Sequence, residues 1–95
     1  MIEVRVEPTR FEVNGHAGFS ARGTDIVCAA VSGIVEHTIR NLSRIKALEI
    51  QIDVGNGVRI GWRPTVGAVV LVESMIVSLE SLSAQYPENI RVTHG

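Results

Sequence analysis

The stretch DIVCAAVSGIVEHTIRNLSRI, Asp25 to Ile45, decides the architecture. At 100° per residue Val27, Val31, Ile34, Val35, Ile39, Leu42 and Ile45 share one side of a helix, while Glu36, His37, Arg40 and Arg44 fall elsewhere. Thr24 or Asp25 is the natural N-cap. Upstream, Ala17 to Thr24 carries two glycines, small residues and no sustained period, and reads as a loop with freedom to move. Before it, Ile2, Val4 and Val6 alternate with Glu3, Arg5 and Glu7, a period of two that gives a first strand with one face on a core. Pro8 and Thr9 break that strand. Phe11 and Val13 then alternate with Arg10, Glu12 and Asn14 in a second strand, hairpin-paired with the first and ending at Gly15-His16.

Downstream, Lys46 to Val54 alternates again through Leu48, Ile50, Ile52 and Val54. Gly55-Asn56-Gly57 is a hairpin turn, because both residue types tolerate positive φ, and Val58, Ile60 and Trp62 supply the returning strand. Pro64 and Thr65 open a second helix that runs to about Tyr86 and stops at Pro87. Its first half, Val66 to Val72, is β-branched enough to pass for a buried strand. Helical spacing continues through Met75, Ile76, Leu79 and Leu82, and this favours the helix. Asn89 to Thr93 closes with a short strand. The order β-β-α-β-β-α-β predicts a single small α/β domain, a mainly antiparallel sheet with two helices packed on one face.

Ninety-five residues hold one core rather than two, and 45% hydrophobic content excludes a disordered chain. Only four aromatic residues and a net charge of −1 argue against a stacking platform or a basic surface for nucleic acid. The single cysteine forms no intrachain disulfide, which suits a reducing cytoplasm. Glu3 stands where a secretory signal would be basic, and the apolar run Val66–Val72 is too short to cross a membrane, so neither export nor a membrane segment is expected. One cysteine and three scattered histidines make no metal site, and the glycine turn lacks the lysine of a phosphate loop, so no cofactor is expected.

Cys28 carries the chemistry. It lies about three positions into the first helix, where open N–H groups and the positive end of the dipole favour a thiolate and offer donors for an oxyanion. From position alone, a small buried hydrophobe is the commoner use of such a cysteine. A base is needed for catalysis. His37, nine residues on, faces the other side of the helix, and His94 lies in a terminal stretch prone to fray. His16 precedes the loop that leads directly to Cys28, so a modest excursion joins the two as a dyad. Asp25 and Ser32 flank Cys28 at i−3 and i+4. Asp25 either caps the helix or orients His16. Ser32 either contacts substrate or bonds back to a carbonyl one turn earlier.

Gly15-His16-Ala17, Gly23-Thr24-Asp25-Ile26-Val27-Cys28-Ala29-Ala30-Val31-Ser32, Val77-Ser78-Leu79 and Tyr86-Pro87-Glu88-Asn89-Ile90-Arg91-Val92 together resemble the ribosomal-processing cysteine protease family, Prp. The resemblance implies a small α/β homodimer that removes a short N-terminal extension from a large-subunit ribosomal protein, cutting after aromatic residues. It implies Cys28 as nucleophile, His16 as general base, and supporting roles for Asp25 and Ser32. Composition adds Phe19 as a contact for an aromatic side chain. The competing expectation is a non-catalytic ribosome-assembly or interaction module whose cysteine is structural.

Overall fold

Ile2–Glu7 buries every second side chain and forms strand β1, which turns through Pro8 and Thr9 into β2, Arg10–Asn14. Helix α1 follows at Ile26–Arg44, then β3 at Leu48–Val54, β4 at Gly57–Trp62, α2 at Val66–Gln85 and β5 at Ile90–His94. The computed structural model describes residues 1–18, 20 and 25–95. The expected element order is therefore observed.

The sheet order is β3-β4-β2-β1-β5, antiparallel except for the parallel pair β1 and β5. Cross-strand partners Val4 and Val13, Val6 and Phe11, and Phe11 and Ile60 face the helices together. With Ile2 and Ile90 they form the sheet side of the core. The helix-free face carries the exposed pairs Arg59–Glu12 and Arg91–Glu3. Such pairs contribute at most about 1 kcal/mol each, so the apolar layer holds the fold.

Helix α1 buries Val27, Val31, Val35, Thr38 and Leu42. Thr38 is the polar member absent from the apolar pattern, and its hydroxyl donates to the Ile34 carbonyl at 3.1 Å. The helix ends in a Schellman arrangement with Lys46 at φ 60°, Lys46 N–H donating to Ser43 O and Ala47 N–H to Leu42 O. That cap consumes Lys46 and Ala47, which is why β3 starts at Leu48 rather than at Lys46. Helix α2 is capped by Thr65 and buries Ala68, Val72, Met75 and Leu79 at helical spacing, which resolves its ambiguous first half. The whole helix is long and apolar enough to cross a membrane, a property that the seven-residue window understated. In this fold its inner line packs into the core, and Glu73 and Glu80 are exposed.

One departure matters for the site. A bulge lies between Leu48 and Ile50, so Ile50, Ile52 and Val54 do not follow Leu48 onto the helix side. Gln51 pairs with Ile60 and Asp53 with Val58, and these two polar residues take the helix-facing positions instead. Ile50 packs against the space left by Gly61 on the opposite face.

Candidate active site

The first turn of α1 is organised by Asp25, 8% exposed, at the N-cap. Its Oδ1 accepts from Val27 N–H at 2.9 Å and Cys28 N–H at 3.0 Å, and its Oδ2 from Ser20 N–H at 3.4 Å. Of the two cap candidates, Asp25 is the one used; Thr24 lies outside the described residues. Asp25 thus caps the helix, and the Val27 and Cys28 donors that the helix start was expected to offer a thiolate or oxyanion are already occupied. Asp25→Ala should destabilise the domain by about 1–2 kcal/mol, since the Val27 and Cys28 N–H groups lose their acceptor. Urea unfolding measures this, and an unchanged midpoint would contradict the cap.

Cys28 is half-buried, and its sulfur takes its donor from the loop instead of the helix: Ala17 N–H approaches Sγ at 3.2 Å. Ala17 itself is buried. Gly15 precedes this segment at φ +97°, and a Cβ there would run into the Met1 carbonyl oxygen, so only glycine lets the chain leave β2 on this path. His16 follows, exposed at the rim.

A groove of about 630 Å³ runs from this point between α1 and the sheet, and His16, Asp25, Cys28 and Ser32 all line it. Val31, Val35 and Ile39 form one wall, while Val13, Val58, Gln51 and Asp53 form the other. Among its described lining residues are the acids Asp25, Glu36 and Asp53 but neither lysine nor arginine, so the described lining is acidic. The Ser32 hydroxyl makes no bond back to its own helix among the described residues, in contrast to Thr38 and Ser74. A thiol, an imidazole, an apolar trough and a polar rim thus share one cleft.

His37 is exposed and does not line the groove. His94, expected to fray, is instead registered against Val6 in β5, with Nε2 2.9 Å from Glu80 Oε1. Phe19 and residues 21–24 of the intervening loop lie outside the described residues. Among the described residues no three metal-ligating side chains cluster. Gln51 and Asp53 escape a sequence reading because the bulge that turns them inward leaves no mark in the alternation.

The sequence profile of the family described as cysteine protease Prp matches residues 1–91. The chain belongs to this family. It is accordingly a cysteine protease. The ribosomal processing cysteine protease Prp of Bacillus subtilis (strain 168) is 33% identical over 92 residues, spanning 87% of this chain and 82% of that protein. The Prp of Mycoplasma pneumoniae is 27% identical over 100 residues, with 95% and 91% covered. A crystal structure of the S. aureus ribosomal processing protease Prp, in complex with a covalently linked product peptide, superposes with a TM-score of 0.92 at 24% identity over 100% of both chains. That likeness establishes the Prp fold for this chain.

Proposed function

We propose that this protein is a cytoplasmic endopeptidase that removes the N-terminal extension of a large-subunit ribosomal protein, with Cys28 as nucleophile and His16 as general acid and base. The observation that carries the reading is that both side chains line one groove, with Ala17 N–H on the sulfur. The ribosomal-processing names of the relatives supply the substrate class. The Cys28 thiolate attacks the scissile carbonyl carbon, and the tetrahedral adduct collapses to a thioester as imidazolium His16 gives its proton to the departing amine. Water then attacks the thioester while His16 takes a proton from it, releasing the carboxylate product and restoring the thiolate. Asp25 holds the helix start that presents Cys28, and Ser32 offers the peptide a hydroxyl from the groove wall.

The test is incubation with a synthetic peptide spanning the extension and its junction. Wild type should cut once, after an aromatic residue; Cys28→Ala should fail to cut, and His16→Ala should cut at about a hundredth of the wild-type rate or less. A half-buried thiol lining an open groove is not the sealed cysteine that the non-catalytic alternative requires.

A homodimer belongs to the same proposal. Val66, Val70 and Val77 are 85%, 58% and 68% exposed and lie within about 40° on one stripe of α2. Covering this stripe with a second copy removes it from water. Light scattering should return twice the chain mass for wild type and the single mass for Val70→Glu; a monomeric wild type would overturn the dimer.

A further inference from the structure

The segment that brings His16 and Ala17 to the sulfur has little rigidity of its own. It is flanked by Gly15 at φ +97° and Gly18 at φ +70°, the residue type with the largest conformational freedom on both sides. Ala17 is nevertheless held in two ways: its methyl is buried, and its carbonyl accepts from Asn89 Nδ2 at 2.9 Å. Asn89 is itself fixed by the main chain, donating its N–H to Tyr86 O at 2.9 Å and accepting Ile2 N–H at 2.8 Å, one residue before the buried Ile90. A side chain 72 positions away thus ties the glycine-flanked segment to the seam between β1 and β5.

We infer that Asn89 is a positioning residue for the nucleophile: by anchoring the Ala17 carbonyl it fixes the backbone so that Ala17 N–H stays on Cys28 Sγ. The inference rests on the proposal that the Cys28 thiolate is the attacking group. A hydrogen bond donated to a sulfur favours its charged form. Loss of the anchor lets the segment rotate about its glycines, the N–H leaves the sulfur, and ionisation moves to higher pH. The peptide unit that supplies this N–H also carries the His16 carbonyl, so the same anchor places the histidine. Among the described residues the titratable groups lining the groove with the sulfur are His16 from the loop after β2, Asp25 and Glu36 from α1 and its cap, and Asp53 from β3. None is altered by substitution at position 89.

The experiment measures iodoacetamide alkylation of the chain's one cysteine as a function of pH, in wild type and in Asn89→Leu, which keeps the volume and removes the donor. The expected result is a midpoint raised by about half to one pH unit, with alkylation below the midpoint roughly three- to tenfold slower and the high-pH limiting rate unchanged. Thermal melting confirms that the variant is folded. The second measurement needs no substitution at position 89: the Ala17 amide resonance of the wild type should shift with the thiol titration and lose that shift in Cys28→Ser. A folded Asn89→Leu with the wild-type midpoint, or a wild-type Ala17 amide that ignores the titration, would overturn the inference. Where Asn89→Leu does not fold, the amide titration decides. Alkylation reports on the thiol and not on proteolysis, so peptide cleavage surviving in Cys28→Ala would sink the protease mechanism separately.

Discussion

Cys28→Ala is expected to lower kcat/KM for the extension peptide by at least about 1,000-fold while leaving peptide affinity within roughly threefold of wild type. The reason lies in the division of labour within the groove. In the proposed mechanism binding is spread over Val13, Val31, Val35, Ile39 and Val58, none of which changes, whereas bond formation to the carbonyl carbon falls on one atom. The chain has no second thiol to take over. His16→Ala should be milder, about 100- to 10,000-fold, because the thiolate keeps its Ala17 donor and loses only proton transfer. Chromatographic detection of the cut peptide gives the rates, and fluorescence anisotropy of a labelled peptide gives the affinity. A Cys28→Ala protein that cuts at more than a tenth of the wild-type rate would remove this cysteine from the chemistry.

Phe11→Ala should destabilise the domain by about 3–5 kcal/mol, a large share of the roughly 5–15 kcal/mol that holds a small domain together. Phe11 is 1% exposed, sits in the central strand and pairs with Val6 on one side and Ile60 on the other. Its removal leaves a void that neither paired neighbour can fill without leaving register. For a domain of this size the melting temperature should fall by about 15–30 °C, read by circular dichroism. A fall under about 5 °C would show that the core is not centred on this residue.

The elements with strong periodicity could be read from the residues alone. The alternation of β1, the apolar stripe of α1 and the Gly55-Asn56-Gly57 turn are local signals, and each appears where expected. The Schellman cap at Lys46 could not be read, because a lysine at positive φ has no compositional signature and tertiary packing of Ala47 enforces it. The bulge after Leu48 hid behind a perfect apolar alternation for a related reason: only pairing with β4 reveals that Ile50 seats on Gly61. At the site, Cys28, Asp25 and Ser32 stand out by their spacing about the helix start and His16 by its place before the loop, and one groove collects all four. The source of the sulfur's donor was misplaced. Helix geometry offers Val27 and Cys28 amides, but an aspartate at the cap takes both, and the donor comes from Ala17 across the loop. Asn89 was beyond reach, since nothing local to residue 89 indicates what it touches 72 positions earlier.

The bulge in β3 has an evolutionary corollary. Gln51 and Asp53 overhang the groove from the outermost strand, while Ile50 just before them is seated on Gly61 on the opposite face and Ile60 beneath them belongs to the next strand. Exchanging either polar side chain therefore changes the groove wall while leaving the buried core residues in place. The lining of the groove and the packing of the core are consequently separable on this strand, and one can vary while the other is inherited intact.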